Sequence, residues 1–379
     1  MASLDPLALA PAVAEHALRL LPVLVDISST FGDREGASRA IACSIAAVPH
    51  AEVDRLPSST DGNEDDLLLT VRGTGRAHVV LLGHLDTVIP SAQHRPFTQN
   101  GDVLGGSGTI DMKGGDAIAL AILAEVSQHP EWRERFAQLD LLLVTDEEWR
   151  HGAMHHAARF AGYDACLCFE AGERDDAGDE AVVVRRKAAG SVEVEATGRA
   201  AHAGAAPDEG RSALLALATT ALTLASLHDP GGEEQRSVVP SILQSGEGVN
   251  IVPGSGSLTV DVRARSEAAF DAVIAAVPEE LGEVRLEARL GRSWPGMDAA
   301  AAAAPALASA SALLGRPIVP ASRGGASDAS HVAAVVPLTV DGLGPLGAGS
   351  HAAHEHTLAS SFLPRSEVAL ALLAAILGA

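Results

Sequence analysis

Aromatic side chains are scarce in this 379-residue chain: seven Phe, three Trp and one Tyr amount to 3% of it. Small side chains, alanine above all, must therefore fill much of its core. Basic residues are short as well, with 27 Lys and Arg against 49 Asp and Glu, and lysine occurs only at Lys113 and Lys187. The resulting net charge of -22 opposes binding to a nucleic acid or an anionic membrane surface, because both need a basic footprint. Three cysteines, Cys43, Cys166 and Cys168, form no disulfide framework, and the Cys-Leu-Cys spacing suits an alternating strand better than a metal knuckle. The N-terminal stretch has no basic segment leading into an apolar core, since Asp5, Glu15 and His16 interrupt it. The apolar run over residues 368–379 is too short to span a bilayer. These absences lead to the expectation of a reducing, cytoplasmic setting with neither membrane nor nucleic acid as partner.

The length exceeds what one hydrophobic core usually spans, so two domains are expected. Helical spacing covers residues 5–28 and 34–48, and residues 78–82 form a short apolar run of the kind buried parallel strands give. Beyond a Gly-rich stretch at 101–115, the pattern predicts a helix over 116–128, a strand over 139–145, a helix over 153–160 and a strand over 164–169. This alternation predicts an α/β domain with a mostly parallel sheet flanked by helices, whose ligands collect at the carboxyl ends of the strands. From Arg186 the style changes. Period-two alternation at 191–196 and 258–263, helical spacing at 212–227 and 267–277, and a strand at 284–290 compose a strand-helix-strand-strand-helix-strand unit. We expect this to be an inserted α+β domain of ferredoxin-like type over 187–292. The first domain then consists of 1–186 and 293–379, the latter with an Ala-rich helix at 298–314, a strand near 336–340 and a terminal helix at 365–378.

The chemistry concentrates where apolar runs end. Leu81-Leu82-Gly83-His84-Leu85-Asp86-Thr87-Val88 delivers a histidine and an aspartate into a turn, and Asp111, Glu147-Glu148, Glu170 and His351 follow. A pair of divalent metals about 3.5–4 Å apart needs a bridging ligand, further histidine and carboxylate ligands, and an open position for water. Imidazole and carboxylate without cysteine suit an open catalytic zinc site better than a closed structural one. Adjacent glutamates at a strand end diverge, so one can bind metal while the other stays free as a base. Taken singly, His-x-Asp is an ordinary polar strand end and Glu-Glu a solvated turn; five ligand positions with a spare glutamate are poorly explained that way. His151 and His155 mimic a helical metal pair, although exposed helical histidines explain them more simply. His351, His354 and His356 all compete for the last ligand position.

Gly83-His84-Leu85-Asp86-Thr87-Val88, Gly106-Ser107-Gly108-Thr109-Ile110-Asp111-Met112-Lys113-Gly114-Gly115, Thr145-Asp146-Glu147-Glu148 and Ala201-His202-Ala203-Gly204 follow one another along the chain. In kind, order and separation they resemble the co-catalytic zinc peptidase and deacylase family that includes glutamate carboxypeptidase, acetylornithine deacetylase, succinyl-diaminopimelate desuccinylase and aminoacylase. The resemblance covers essentially the whole chain. It is strongest to the bacterial folate-cleaving glutamate carboxypeptidase branch, through His202-Ala203-Gly204-Ala205-Ala206-Pro207, Asp261-Val262-Arg263, and Gly324-Gly325 followed by Asp328.

Position by position, the resemblance implies two divalent metal ions, zinc first with cobalt or manganese open. His84 and Glu170 would hold one, Glu148 and His351 the other, with Asp111 bridging and Glu147 as general base. His351 is favoured because the family pattern sets a glutamate four or five residues after the ligand, as Glu355 is. Asp86 would hydrogen-bond the His84 imidazole, and a cis peptide would follow Asp111. His202 would reach a partner subunit's site and stabilise the oxyanion, which implies a homodimer. Asn250 and Arg263 correspond to substrate-contacting residues, Arg292 near the hinge to a binder of the substrate carboxylate, and Gly324 and Gly325 to close backbone approach. The implied reaction is hydrolysis of the amide bond of an N-acyl or N-peptidyl amino acid by a metal-activated bridging water, with a lid closing about hinges near 186 and 293. An N-acyl-amino-acid deacylase is the alternative enzyme. A non-catalytic metal-binding protein of the same fold is a third reading, against which an intact Glu147 argues. Two departures from the pattern stand out: Trp149-Arg150-His151-Gly152 after the glutamate pair, where small residues are usual, and Ser107, where some relatives carry arginine or proline.

Overall fold

A computed structural model describes residues 4–378. Helix α1 (Pro6–Val25) opens with Pro6 at its first position and the Asp5 carboxylate accepting from the Ala8 N–H at 3.1 Å. Helix α2 (Arg34–Ala47) is capped in the same way by Asp33. Strands β1 (Glu52–Leu56), β2 (Asp66–Arg72) and β3 (Ala77–His84), helix α3 (Gly114–Gln128), and strands β4 (Phe136–Val144), β5 (Ala165–Cys168) and β6 (Glu180–Arg186) follow. Next come β7 (Ala188–Thr197), α4 (Ala213–Ala225), β8 (Ser237–Ser245), β9 (Ser255–Ala264), α5 (Ala268–Ala275) and β10 (Val284–Trp294). The chain closes with α6 (Ala300–Leu314), β11 (Ile318–Arg323), α7 (Asp328–Ala333), β12 (Thr339–Val340) and α8 (Phe362–Ile376).

The central sheet runs β1-β2-β4-β3-β5-β12. Its β4, β3, β5 and β12 are parallel, while β1 and β2 join antiparallel at one edge. The continuous Val79-Val80-Leu81-Leu82 run reflects burial on both faces. Val79 and Leu81 enter the core under α1, α3 and α8, whereas Val80 and Leu82 face the opposite core with Cys166, Cys168 and α7 residues Ala329 and Val332. Helix α1 and the segment Ala359–Ile376 are long and apolar enough to cross a membrane by length and composition alone. Here they contribute Val13, Ala17, Leu21, Leu370 and Leu373 to the first of these cores.

A second sheet, β8-β9-β7-β10 with the short strand Glu280–Leu281 added beyond β10, is antiparallel throughout. Its βαββαβ connectivity and strand order are those of a ferredoxin-like unit, with Val192, Val194, Leu217, Leu258, Val260 and Phe270 forming a separate core beneath α4 and α5. Its entry and exit lie side by side, since Arg186 at the end of β6 pairs with Met297. Strand β6 also runs parallel to β11.

Two expectations fail locally. Residues 153–160 form no α-helix, only a 3₁₀ turn at Ala157–Phe160, because the segment bonds outward: the His155 N–H donates to Ser59 Oγ and the His156 ring to the Pro57 carbonyl. His151 and His155 are therefore not a helical pair. The strand near 336–340 shrinks to Thr339–Val340, since Pro337 cannot donate to a ladder.

Candidate metal centre

Strand β3 ends in His84, which is 2% exposed. Its Nδ1 faces the Asp86 main-chain carbonyl at 3.0 Å, so that nitrogen carries the proton and Nε2 is left to face Asp111 Oδ1 at 3.2 Å and Glu170 Oε1 at 3.8 Å. The Asp86 carboxylate was expected on this imidazole; it stands farther off, at 3.5 Å. Its stronger bonds accept the N–H groups of Glu147 (3.1 Å) and Glu148 (2.9 Å), tying the glutamate pair beyond β4 to the end of β3.

Asp111 follows a turn that needs glycine, with Gly108 at φ +78°, and the Asp111–Met112 peptide is cis. The buried Glu355 carboxylate accepts the N–H groups of Gly108 (2.8 Å), Ile110 (3.2 Å) and Asp111 (3.3 Å), clamping this loop. Asp111 Oδ2 then lies 3.2 Å from His351 Nε2, and Glu148 Oε1 lies 3.0 Å from the same nitrogen. His351 takes a left-handed backbone (φ +66°), a conformation that β-substituted residues rarely adopt and that often marks a functional position. His356 instead bonds the His354 carbonyl, which leaves His351 as the histidine at this site.

The donors fall into two groups, His84 with Asp111 and Glu170, and Asp111 with Glu148 and His351, whose ligand atoms lie within 4.8 Å of one another. Burial works to raise the Asp111 carboxyl, but hydrogen bonds from His351 and His84 hold it well below the usual range. Burial, reinforced by the Asp111 charge, pushes Glu170 far up, and burial carries Glu147 to about 7 against the pull of His84. This crowding of carboxylates is the strain that bound cations relieve. With imidazole and carboxylate donors and no sulfur, the set fits divalent metal ions.

A cleft of about 330 Å³ opens above these groups, lined on its far side by residues of β7, β9 and β10. Arg292 enters from β10, donating from Nη2 to the Glu147 carbonyl at 3.2 Å, while its buried Nε has no hydrogen-bond partner. Arg263 also lines the cleft, but Asp261 holds its guanidinium through contacts of 2.9–3.2 Å. Gly325 is in the wall and Gly324 is not, the former placed by Arg186, which donates to the Gly325 carbonyl at 2.9 Å. His202 and Asn250 form a separate exposed cluster on the insert, joined by the Ala203 N–H donating to the Asn250 carbonyl at 2.8 Å. They do not line the cleft of their own chain. Lys113, conspicuous in a lysine-poor chain, donates to the Ile27 carbonyl at 2.6 Å and supports the segment after α1. Sequence reasoning missed the clamp made by Glu355, although Glu355 was visible as the mark that distinguishes His351.

The model of peptidase family M20/M25/M40 matches residues 80–375. The chain belongs to this family. It is 28% identical over 379 residues to carboxypeptidase G2 of Pseudomonas sp. (strain RS-16), covering 96% of this chain and 89% of the relative. It is also 33% identical over 227 residues to a succinyl-diaminopimelate desuccinylase of Stenotrophomonas maltophilia, over 55% of this chain and 58% of that one. Among solved structures, the aminopeptidase PepT of Bacillus cereus shares the fold with a TM-score of 0.75 at 18% identity, over 96% of this chain and 98% of that one. The M20 metallo-carboxypeptidase Sso-CP2 of Sulfolobus solfataricus does so at 0.73 and 14%, over 95% and 99%. This M20 chain is thus a metal-dependent hydrolase of amide bonds.

Proposed function

We propose that this M20 protein is a two-metal carboxypeptidase-like amidohydrolase that releases the terminal amino acid from N-acyl or N-peptidyl amino acids. The observation carrying this is the division of Asp111: one oxygen lies 3.2 Å from His84 and the other 3.2 Å from His351, Glu170 groups with the first histidine and Glu148 with the second, and Glu147 remains outside both groups. His84 and Glu170 would hold one ion and Glu148 and His351 the other, with Asp111 shared. Two divalent cations, zinc first, supply Lewis-acid polarisation of the amide carbonyl and lower the pKa of a water when bound. Glu147 takes the proton from the attacking water and passes it to the leaving amine, a role suited to a buried carboxylate that belongs to neither donor group. Arg292, the cleft arginine without a carboxylate partner among the described residues, receives the substrate's terminal carboxylate.

His202 completes the site in this proposal from a second copy of the chain. Its Nδ1 accepts the N–H groups of Gly204 and Ala205, both at 3.1 Å, which leaves the proton on an outward-facing Nε2 suited to an oxyanion. Pairing of inserted domains is supported by exposed Leu215 and Leu222 on α4 and by exposed Val239 and Ile242 on β8, an edge strand with one side unpaired. A panel of N-acyl-glutamates, dipeptides and acetyl-ornithine assayed with the metal-loaded protein tests the reading. Cleavage that requires a free terminal carboxylate is expected. Indifference to that carboxylate would overturn the carboxypeptidase assignment, and preference for acetyl-ornithine would favour a deacylase.

A further inference from the structure

Below the cleft lies a set of charged and aromatic side chains that the chemistry above does not use. Arg150, three residues after Glu147, is 1% exposed. Its guanidinium donates to Asp146 at 2.8 Å and to Asp328 at the start of α7, so its charge is neutralised from two sides. Its carbon Cζ lies 4.8 Å from the centroid of the Trp294 indole, and Arg292 Cζ lies 4.9 Å from the same ring. His331 packs against that indole as well, at 4.9 Å between ring centroids. Trp294 is buried and forms part of the cleft wall.

Arg292 is fixed along its length. Its N–H donates to Ser191 Oγ at 2.9 Å, its Nη2 reaches the Glu147 carbonyl, and its guanidinium rests near the indole, while its Nε has no partner. Arg263, the other arginine of the cleft, is occupied by Asp261. A long, flexible guanidinium binds a carboxylate more weakly when it must first be ordered, and contact with an aromatic ring orders it in advance. Repulsion between two guanidiniums sharing one ring is limited, because Asp146 and Asp328 neutralise Arg150. The arrangement grows out of Trp149-Arg150-His151, the stretch that departs from the small residues usual after the glutamate pair.

We infer that Trp294, supported by Arg150, is a positioning residue that holds the Arg292 guanidinium ready for a single substrate carboxylate and so sets selectivity for acyl amino acids ending in one. The inference rests on the carboxypeptidase reading. It is tested by comparing kcat/KM for an N-acyl amino acid and for its terminal carboxamide in the wild type, Arg292→Ala, Trp294→Leu, Trp294→Phe and Arg150→Lys, with Tm measured for each. Arg292→Ala is expected to cut the acid-over-carboxamide ratio by about 100-fold. Trp294→Leu should cut it by about tenfold, through KM with kcat within about threefold, and Trp294→Phe should restore most of it. Arg150→Lys, which keeps the charge but withdraws the planar group from the indole, should lower the ratio by about threefold, so the test survives if Trp294→Leu does not fold.

If Arg292→Ala loses the selectivity while folded Trp294→Leu or, in its absence, Arg150→Lys keeps it, the positioning role is wrong and the carboxypeptidase reading stands. Equal losses on acid and carboxamide in the Trp294 variants would reduce Trp294 to a structural role and also overturn the inference. If Arg292→Ala keeps the selectivity, the carboxypeptidase reading itself fails.

Discussion

His84 and His202 use one device in opposite settings. Each has Nδ1 fixed by main-chain groups, His84 against the Asp86 carbonyl and His202 against the N–H groups of Gly204 and Ala205. The first leaves Nε2 free of its proton, buried and facing Asp111 and Glu170 within the same chain. The second leaves Nε2 protonated on an exposed surface with no partner among the described residues. The donor set at the carboxyl ends of the central strands is complete within one chain, whereas in the proposed dimer the outer face of the insert offers a donor to a partner's site.

The largest expected effect lies on the complete side. Asp111→Asn keeps the shape but removes the shared anion, and it should abolish turnover together with binding of two metal ions, as metal analysis of the purified variant would read; two ions in a fully active variant would break the comparison. On the other side, His202→Ala should leave metal content intact and lower kcat by about 10²–10³. Mixing that variant with Glu147→Gln, after dissociation and reassociation, sharpens the contrast. Hybrid dimers would carry one site with both groups intact, so random pairing should return about a quarter of wild-type activity. No return from the mixture, with hybrids demonstrated by mass, would place His202 outside the partner's chemistry.

A smaller effect separates the site from the scaffold behind it. Burial, reinforced by Asp146, pushes the Asp66 carboxyl up to about 8, and one of its oxygens has no hydrogen-bond partner. With the folded pKa above the unfolded one, the group is neutral in both states below about pH 4 and costs nothing there. Stability is lost as pH rises from about 4 through about 8, because the unfolded state releases the proton first. Asp66→Asn can still accept from the Thr145 N–H and hydroxyl, so its Tm advantage over wild type should widen by roughly 3 °C or more between pH 5 and pH 8. A constant difference across that range would show that Asp66 is ionised in the fold.

Both regions were legible wherever a buried face imposes a period on the sequence. His84, Asp86, Glu147, Glu148 and Glu170 end apolar runs that a doubly covered parallel sheet requires, so pattern alone marks them. The βαββαβ order of the insert was equally readable from alternating period-two and helical spacing. Edge strand β1 was not, because its mostly exposed Glu-Val-Asp-Arg has no buried face to impose alternation. The helix expected at 153–160 gave way to bonds with Ser59 and Pro57 nearly a hundred residues away. Arg150 registered only as a departure from a pattern, since its role comes from Asp328 and Trp294, which no local spacing brings to it. His202 and Asn250 were visible as motifs, but one chain does not bring them to the metal donors.

Turnover of an N-acyl-glutamate by Glu147→Gln, measured alongside its metal content, addresses the central claim most directly. The account predicts two divalent ions per chain in variant and wild type alike, with kcat lowered in the variant by about 10²–10⁴. Hydrolysis at the wild-type rate by a variant that binds both ions would contradict it.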